Sequence, residues 1–169
     1  MRLPIFLFIL LFHLVSSYAQ QGEITTAKIT FEFPSKKVKG SIEGFASESR
    51  IDWDTPSNSI LKGSVDASTL DTNNGLRNWS LRSSRYFNVK THPKITFVSR
   101  KVSKKETKWI VEGDLTIKGT TKPFQIEFKE EKNRLTGSGS LYSSDFGIKI
   151  KKKRLDNLVN VRFELELVR

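Results

Sequence analysis

An all-β domain of eight or nine antiparallel strands, interrupted once by a short helix, is what the sequence predicts. Three observations carry it. Segments of alternating apolar and polar residues recur along the chain, and a period of two marks strands with one buried face. Turn-forming clusters separate those segments at hairpin spacing. Between Leu70 and Phe97 the alternation lapses, and Leu76, Trp79 and Ser83 fall at helical intervals instead. The pattern suits a sandwich or a closed barrel equally. There is no internal repeat, linker or low-complexity segment.

In chain order, residues 27–33 place Ile29, Phe31 and Phe33 on one face and Lys28, Thr30 and Glu32 on the other. Pro34-Ser35 ends that strand. Val38, Gly40, Ile42 and Gly44 share a face of the next one, and inward glycines two apart suit a sharply curved sheet. Residues 49–53 continue as a third strand or as the far half of a bent one. A turn at residues 54–58 leads to Leu61, Gly63 and Val65. Asn73 or Asn74 can cap a short helical crossover over residues 73–84, laid across one end of the body. His92 precedes Pro93 and is therefore held extended. Five further strands follow. Ile95 and Phe97 begin the first. Trp109, Val111, Gly113, Leu115 and Ile117 alternate along the next, then Phe124, Ile126 and Phe128 beyond a tight turn at residues 118–120. Leu135, Gly137, Gly139 and Leu141 share a face, Asp145-Phe146-Gly147 forms a turn, and Val159, Val161, Phe163, Leu165 and Leu167 close the chain as its clearest strand.

The first residues stand apart. Arg2, the apolar run over residues 3–15 and Ser17-Tyr18-Ala19 read as a secretory signal peptide cut after Ala19. The run is shorter than the roughly 20 residues a membrane span needs. Residues 20–169 then form one mature domain, periplasmic or secreted. That domain has no cysteine, so neither a lipid-modified cysteine nor a disulfide is available, and the hydrophobic core must hold it together. The net charge is +11, from 29 Lys and Arg against 18 Asp and Glu. Such an excess points to an anionic partner, and outside the cytoplasm a phosphate-bearing lipid or membrane surface is expected rather than nucleic acid. A basic surface with no partner is the competing reading.

Catalytic signatures are absent. His92 is the one histidine after the leader, and no metal-ligand spacing surrounds it. No nucleophile elbow or dinucleotide loop occurs. No catalytic residue, metal or cofactor is expected.

Several stretches resemble the YceI-like family. They are residues 68–72, the Asn74, Arg77, Leu81, Arg82 and Ser83 cluster, Tyr86-Phe87-Asn88-Val89, residues 93–97, residues 113–117 with Gly119 and Thr121-Lys122-Pro123, and residues 144–147. The resemblance is collinear over nearly all of the mature chain. It implies an eight-stranded antiparallel lipocalin-like barrel that binds a polyisoprenoid or similar long-chain lipid without catalysis, in the periplasm. The chain departs from the family pattern at Asn78 and Ser80, where Asp and His are usual, at Ser143, where Arg is common, and at Pro34-Ser35, near a common His.

On that reading the inward residues line a cavity: Phe31, Ile42, Leu61, Val65, Phe97, Trp109, Val111, Leu115, Phe124, Ile126, Phe128, Val161, Phe163 and Leu165. A filled core is the alternative, because small barrels occur both packed and hollow. Glycines at inward positions argue for space. Arg77, Arg82 and Arg85 are the residues expected to meet a phosphorylated headgroup, unless they pair with Asp66, Asp71 or solvent. Lys149-Ile150-Lys151-Lys152-Lys153-Arg154 is the densest basic run, suited to anionic headgroups or to plain solvation. The partners expected are a long-chain lipid, an anionic membrane surface and a second copy of the chain. The competing function is a basic surface-binding module with a solid core, acting on envelope polyanions or a protein. A hydrolase or isomerase of lipid-like substrates is a third reading.

Overall fold

A computed structural model describes residues 21–168. The expected signal peptide and the cut after Ala19 lie outside the described residues. The described chain forms β1 (Gln21–Phe33), β2 (Val38–Ile42), β3 (Ala46–Ser47), β4 (Ile51–Asp52), β5 (Lys62–Asp66), α1 (Gly75–Arg82), β6 (Lys94–Lys105), β7 (Lys108–Ile117), β8 (Thr120–Glu131), β9 (Arg134–Tyr142) and β10 (Leu158–Val168). The strands make one curled antiparallel sheet in the order β2-β1-β10-β9-β8-β7-β6-β5-β3, with β4 also paired to β1.

The three short strands β2, β3 and β4 are pieces of one bent run. β2 pairs with β1, Ile29 opposite Ile42. Gly44 then turns at φ +72, in the left-handed region that favours glycine. It is a corner rather than the inward strand position its spacing suggested. Beyond it β3 pairs with β5, Ala46 opposite Ser64, Arg50 bridges Ile60, and β4 returns to β1 at Gly22–Ile51. The run thus joins the two edges of the sheet, so the sheet curls into a lipocalin-like barrel. Counted as one strand, it gives the eight expected. Joining the edges also removes the unpaired strands that an open sheet would present to other chains.

One end of this barrel is solid. Ile24, Ile51, Val102, Trp109, Val111, Leu135 and Leu167 are buried there. Trp53 and Trp109 meet edge to face, centroids 5.7 Å apart. The Trp109 indole N–H donates to Glu130 at 2.9 Å, and the Lys104 ammonium lies 2.6 Å from Glu130 and 4.9 Å from the Trp109 ring. Burying an indole is favourable when its N–H keeps a partner, and the cation over its face adds to that.

The other end carries four connections, residues 34–37, 67–93, 118–119 and 143–157. The turn at Lys118-Gly119 has positive φ at both residues, the geometry a two-residue hairpin wants. α1 lies within the longest connection. Asn74 caps it, its side chain accepting from the Arg77 N–H at 2.9 Å. Asn78 ties it down. Its carbonyl accepts from the Thr72 N–H and hydroxyl, at 2.9 and 2.7 Å, and its amide donates to Asp71 at 2.8 Å. That hydrogen bond, with one from the Asn73 N–H, holds the Asp71 carboxyl below its ordinary range.

Candidate functional site: an apolar cavity under a basic rim

Between the solid end and α1 lies a cavity of about 540 Å³, within the range of about 300–1,000 Å³ typical of small-molecule sites. Its wall is overwhelmingly apolar. β1 gives Ile29 and Phe31, β2 Ile42, β5 Leu61 and Val65, β6 Phe97, and β7 Leu115. β8 gives Phe124, Ile126 and Phe128, and β10 gives Val161, Phe163 and Leu165. Phe31, Phe97, Val161 and Phe163 point inward yet are only half-buried, because they face open space. The interior is hollow, not packed solid.

Glycine is what keeps it hollow. A Cβ at Gly40 would strike the Phe31 ring, at Gly113 the Phe97 ring, at Gly137 the Phe128 ring and at Gly139 the Phe124 ring. Four aromatic rings therefore lie flat against bare backbone on the wall instead of standing into the lumen. Phe97 and Phe124 meet edge to face at 6.3 Å, and Phe128 and Phe163 are tilted at 6.0 Å.

Two of the fourteen residues expected to line the cavity do not. Trp109 and Val111 are fully buried in the solid end and do not reach the cavity. Alternation places them on the same face as Leu115 but says nothing about height along the axis. Conversely, Leu70, Leu81, Tyr86, Phe87, Phe146, Ile148 and Ile150 reach the cavity from the connections, where alternation is silent. Leu70, Leu81, Tyr86, Phe87 and Phe146 do fall within the stretches that carry the family resemblance.

The three arginines do not converge. Arg77 borders the cavity and donates to the Thr72 carbonyl at 3.4 Å. Arg82 turns away to the Leu70 carbonyl, 3.2 Å, and Arg85 lies against the Tyr86 ring at 5.5 Å. Of the carboxylates set against them, Asp66 pairs with Lys94 instead. Lys36, on the β1–β2 connection, also borders the cavity, as does Lys62 of β5, which pairs with Glu48 at 2.6 Å.

The basic run is not a strand. It is a looped segment pinned by Asn157, which is fully buried. The Asn157 side chain accepts from the Ile150 and Lys151 N–H groups and donates to the Lys151 and Lys153 carbonyls, all within 2.9 Å. This turns Ile150 into the cavity and leaves the charges outside. Arg154 closes the segment on Asp145 through two hydrogen bonds of 2.8 and 2.6 Å, over the Tyr142 ring. These bonds hold the Asp145 carboxyl below its ordinary value of 3.8, so the clamp is complete above that pH and fades only as the pH falls through the depressed value. Replacing Asn157 with alanine strands four backbone groups and is expected to cost about 2 kcal/mol. Denaturant unfolding would measure it, and hydrogen exchange would show the loss of protection over residues 148–157.

Where the family pattern departs, the residues have local tasks. Asn78 is the tether of α1, Ser80 borders the cavity, and Ser143 is buried and donates to the Ile148 carbonyl at 2.9 Å. His92 rests on the turn at Gly119. Among the described residues no cluster of His, Asp and Glu could hold a metal, and no helix is long and apolar enough to cross a membrane.

Comparison with known proteins agrees with this architecture. The chain is 36% identical over 84 residues to UPF0312 protein plu2095 of Photorhabdus laumondii, covering 50% of this chain and 44% of that protein. It is 32% identical over 90 residues to Protein YceI of Salmonella arizonae, covering 53% and 47%. The match thus spans about half the length of these curated relatives. Among solved structures, BcnA of Burkholderia cenocepacia superposes with a TM-score of 0.74 at 19% identity, covering 87% of this chain and all of that one. A polyisoprenoid binding domain from Saccharophagus degradans, implicated in plant cell wall breakdown, superposes at 0.57 and 12% identity, covering 87% and 96%. The model of the YceI-like domain matches residues 19–167, and with the barrel, the crossover helix and the hollow interior in place, the chain belongs to the YceI-like family.

Proposed function

We propose that the protein is a non-catalytic carrier that encloses the tail of a polyisoprenoid or similar long-chain lipid in its barrel, in the periplasm or outside the cell. One observation carries this reading: a continuous apolar cavity, closed off by the solid end of the barrel and bordered by Lys36 and Arg77 towards the other. Family membership and the ligand class named for the Saccharophagus neighbour support it. The energetics are adequate. Each methylene taken from water contributes roughly 0.8 kcal/mol, so about ten give ~8 kcal/mol before the ordering of the tail reduces it. A tail can therefore supply most of the affinity without directed polar contacts. The scattered arginines leave Arg77 and Lys36 as the residues for a phosphorylated head.

Organic extraction of the purified protein followed by mass spectrometry tests the proposal. A hydrophobic compound in near-stoichiometric amount is expected. Protein that yields none, and that takes up no long-chain fluorescent probe from solution, would count against the carrier.

A further inference from the structure

The three most exposed large apolar side chains of the described residues are Leu76, Trp79 and Leu155, at 84%, 76% and 71% of their full exposure. All three lie in the connections at the open end, two on α1 and one between β9 and β10. Solvent exposure of this order is uncommon for such residues clustered at one end of a domain. On α1, Leu76 and Trp79 sit one turn apart and face outward, while Arg77, Ser80 and Leu81 border the cavity.

Charge is distributed in the same sense. The four connections at the open end hold twelve Lys and Arg residues and three carboxylates, Asp71, Asp145 and Asp156. The three connections at the solid end, residues 53–61, 106–107 and 132–133, hold one lysine and two carboxylates. The asymmetry is along the barrel axis, and the cations surround the opening.

We infer that the open end docks on the surface of an anionic lipid bilayer, with Leu76, Trp79 and Leu155 entering the interface and the surrounding lysines and arginines meeting the headgroups. Tryptophan and leucine on an otherwise basic face are the composition of interfacial anchors. Each basic residue near an anionic surface adds about fivefold in affinity. A second copy of the chain fits this face poorly, because it would bring an equally basic ring against the first. The inference rests on the carrier reading for its purpose, since docking sets the cavity opening against the place where a lipid tail enters or leaves.

Flotation of the purified protein with two kinds of vesicle tests it. One is phosphatidylcholine alone; the other is phosphatidylcholine mixed with phosphatidylglycerol. Binding to the mixed vesicles alone is expected, weakened by salt, with a blue shift of tryptophan emission. Trp79 would report that shift, because Trp109 is fully buried and Trp53 half-buried. Leu76→Ser with Trp79→Ser should lower vesicle affinity about tenfold or more, and Lys151→Glu with Lys152→Glu by a similar factor. Both variants should take up a long-chain fluorescent probe from solution as the parent does. A parent that floats with neither vesicle, or equally with both, overturns the docking surface. So do variants that float undiminished. A mass that doubles with concentration, and no longer does so after Leu76→Ser with Trp79→Ser, would assign the face to a second copy and overturn it too. Flotation by a parent that takes up no probe would instead sink the carrier reading and leave the docking surface standing.

Discussion

Phe163→Asp is expected to lower uptake of a long-chain apolar probe at least about a hundredfold while the barrel stays folded. Phe163 sits on β10 opposite Gly137 and leans on Phe128 at 6.0 Å, with its remaining face open to the cavity. A carboxylate there cannot be left dry, because an isolated charge in apolar surroundings costs far more than any single contact returns. It would hold water in the lumen, and an entering tail would have to displace that water. A penalty of about 3 kcal/mol is already more than a hundredfold in affinity. The fold survives because the ring borders a void and its loss removes few packed neighbours. Fluorescence titration with the probe, beside circular dichroism, gives both readouts. Phe163→Leu should bind nearly as the parent does. A folded Asp variant with unchanged uptake would show that the tail lies elsewhere.

Trp109→Ala is expected to destabilise the domain by about 3–5 kcal/mol, the range for truncating a large buried aromatic. For a domain of this size that corresponds to a melting temperature lower by about 10–15 °C. The cost has three sources. The side chain is fully buried, so its removal leaves a void. Trp53 loses its edge-to-face partner, and Glu130 loses the indole donor while Lys104 loses the ring beneath it. Trp109→Phe should recover part of the packing but not the hydrogen bond. Thermal unfolding of the three proteins measures the series. A shift of only a degree or two for the alanine variant would mean that the solid end can collapse around the gap.

The contrast between these two positions shows how far the sequence could be read. Phe163 and Trp109 sit at equivalent points of an alternating pattern, and both face inward. One borders the lumen and the other plugs it, because height along the axis is set by strand register, which alternation does not encode. Val111 is the same case. A charge placed there would unfold the protein rather than report on its ligand. The long strands were legible because each has one wet and one dry face over many residues. The bent run was less so: β3 and β4 have two residues each, too few for a period to appear. The wall residues contributed by connections, such as Phe146 and Ile148, follow no period at all. Leu76 and Trp79 were legible as a helical pair, but spacing cannot say whether such a pair faces the body or the solvent. Arg77, Arg82 and Arg85 are close in sequence and point three ways, since an eight-residue helix spreads its side chains around its axis.

The run that joins the two edges of the sheet has one more consequence. Every other junction around the circumference is a ladder of five or more paired residues, but β3 and β4 are held by two each. Isolated backbone hydrogen bonds from Asp66 to Glu43, from Glu48 to Lys62 and between Arg50 and Ile60 complete that line, so the cylinder is stitched rather than laddered along one stave. Amide protons there are expected to exchange faster than those of the long ladders, which hydrogen exchange would measure.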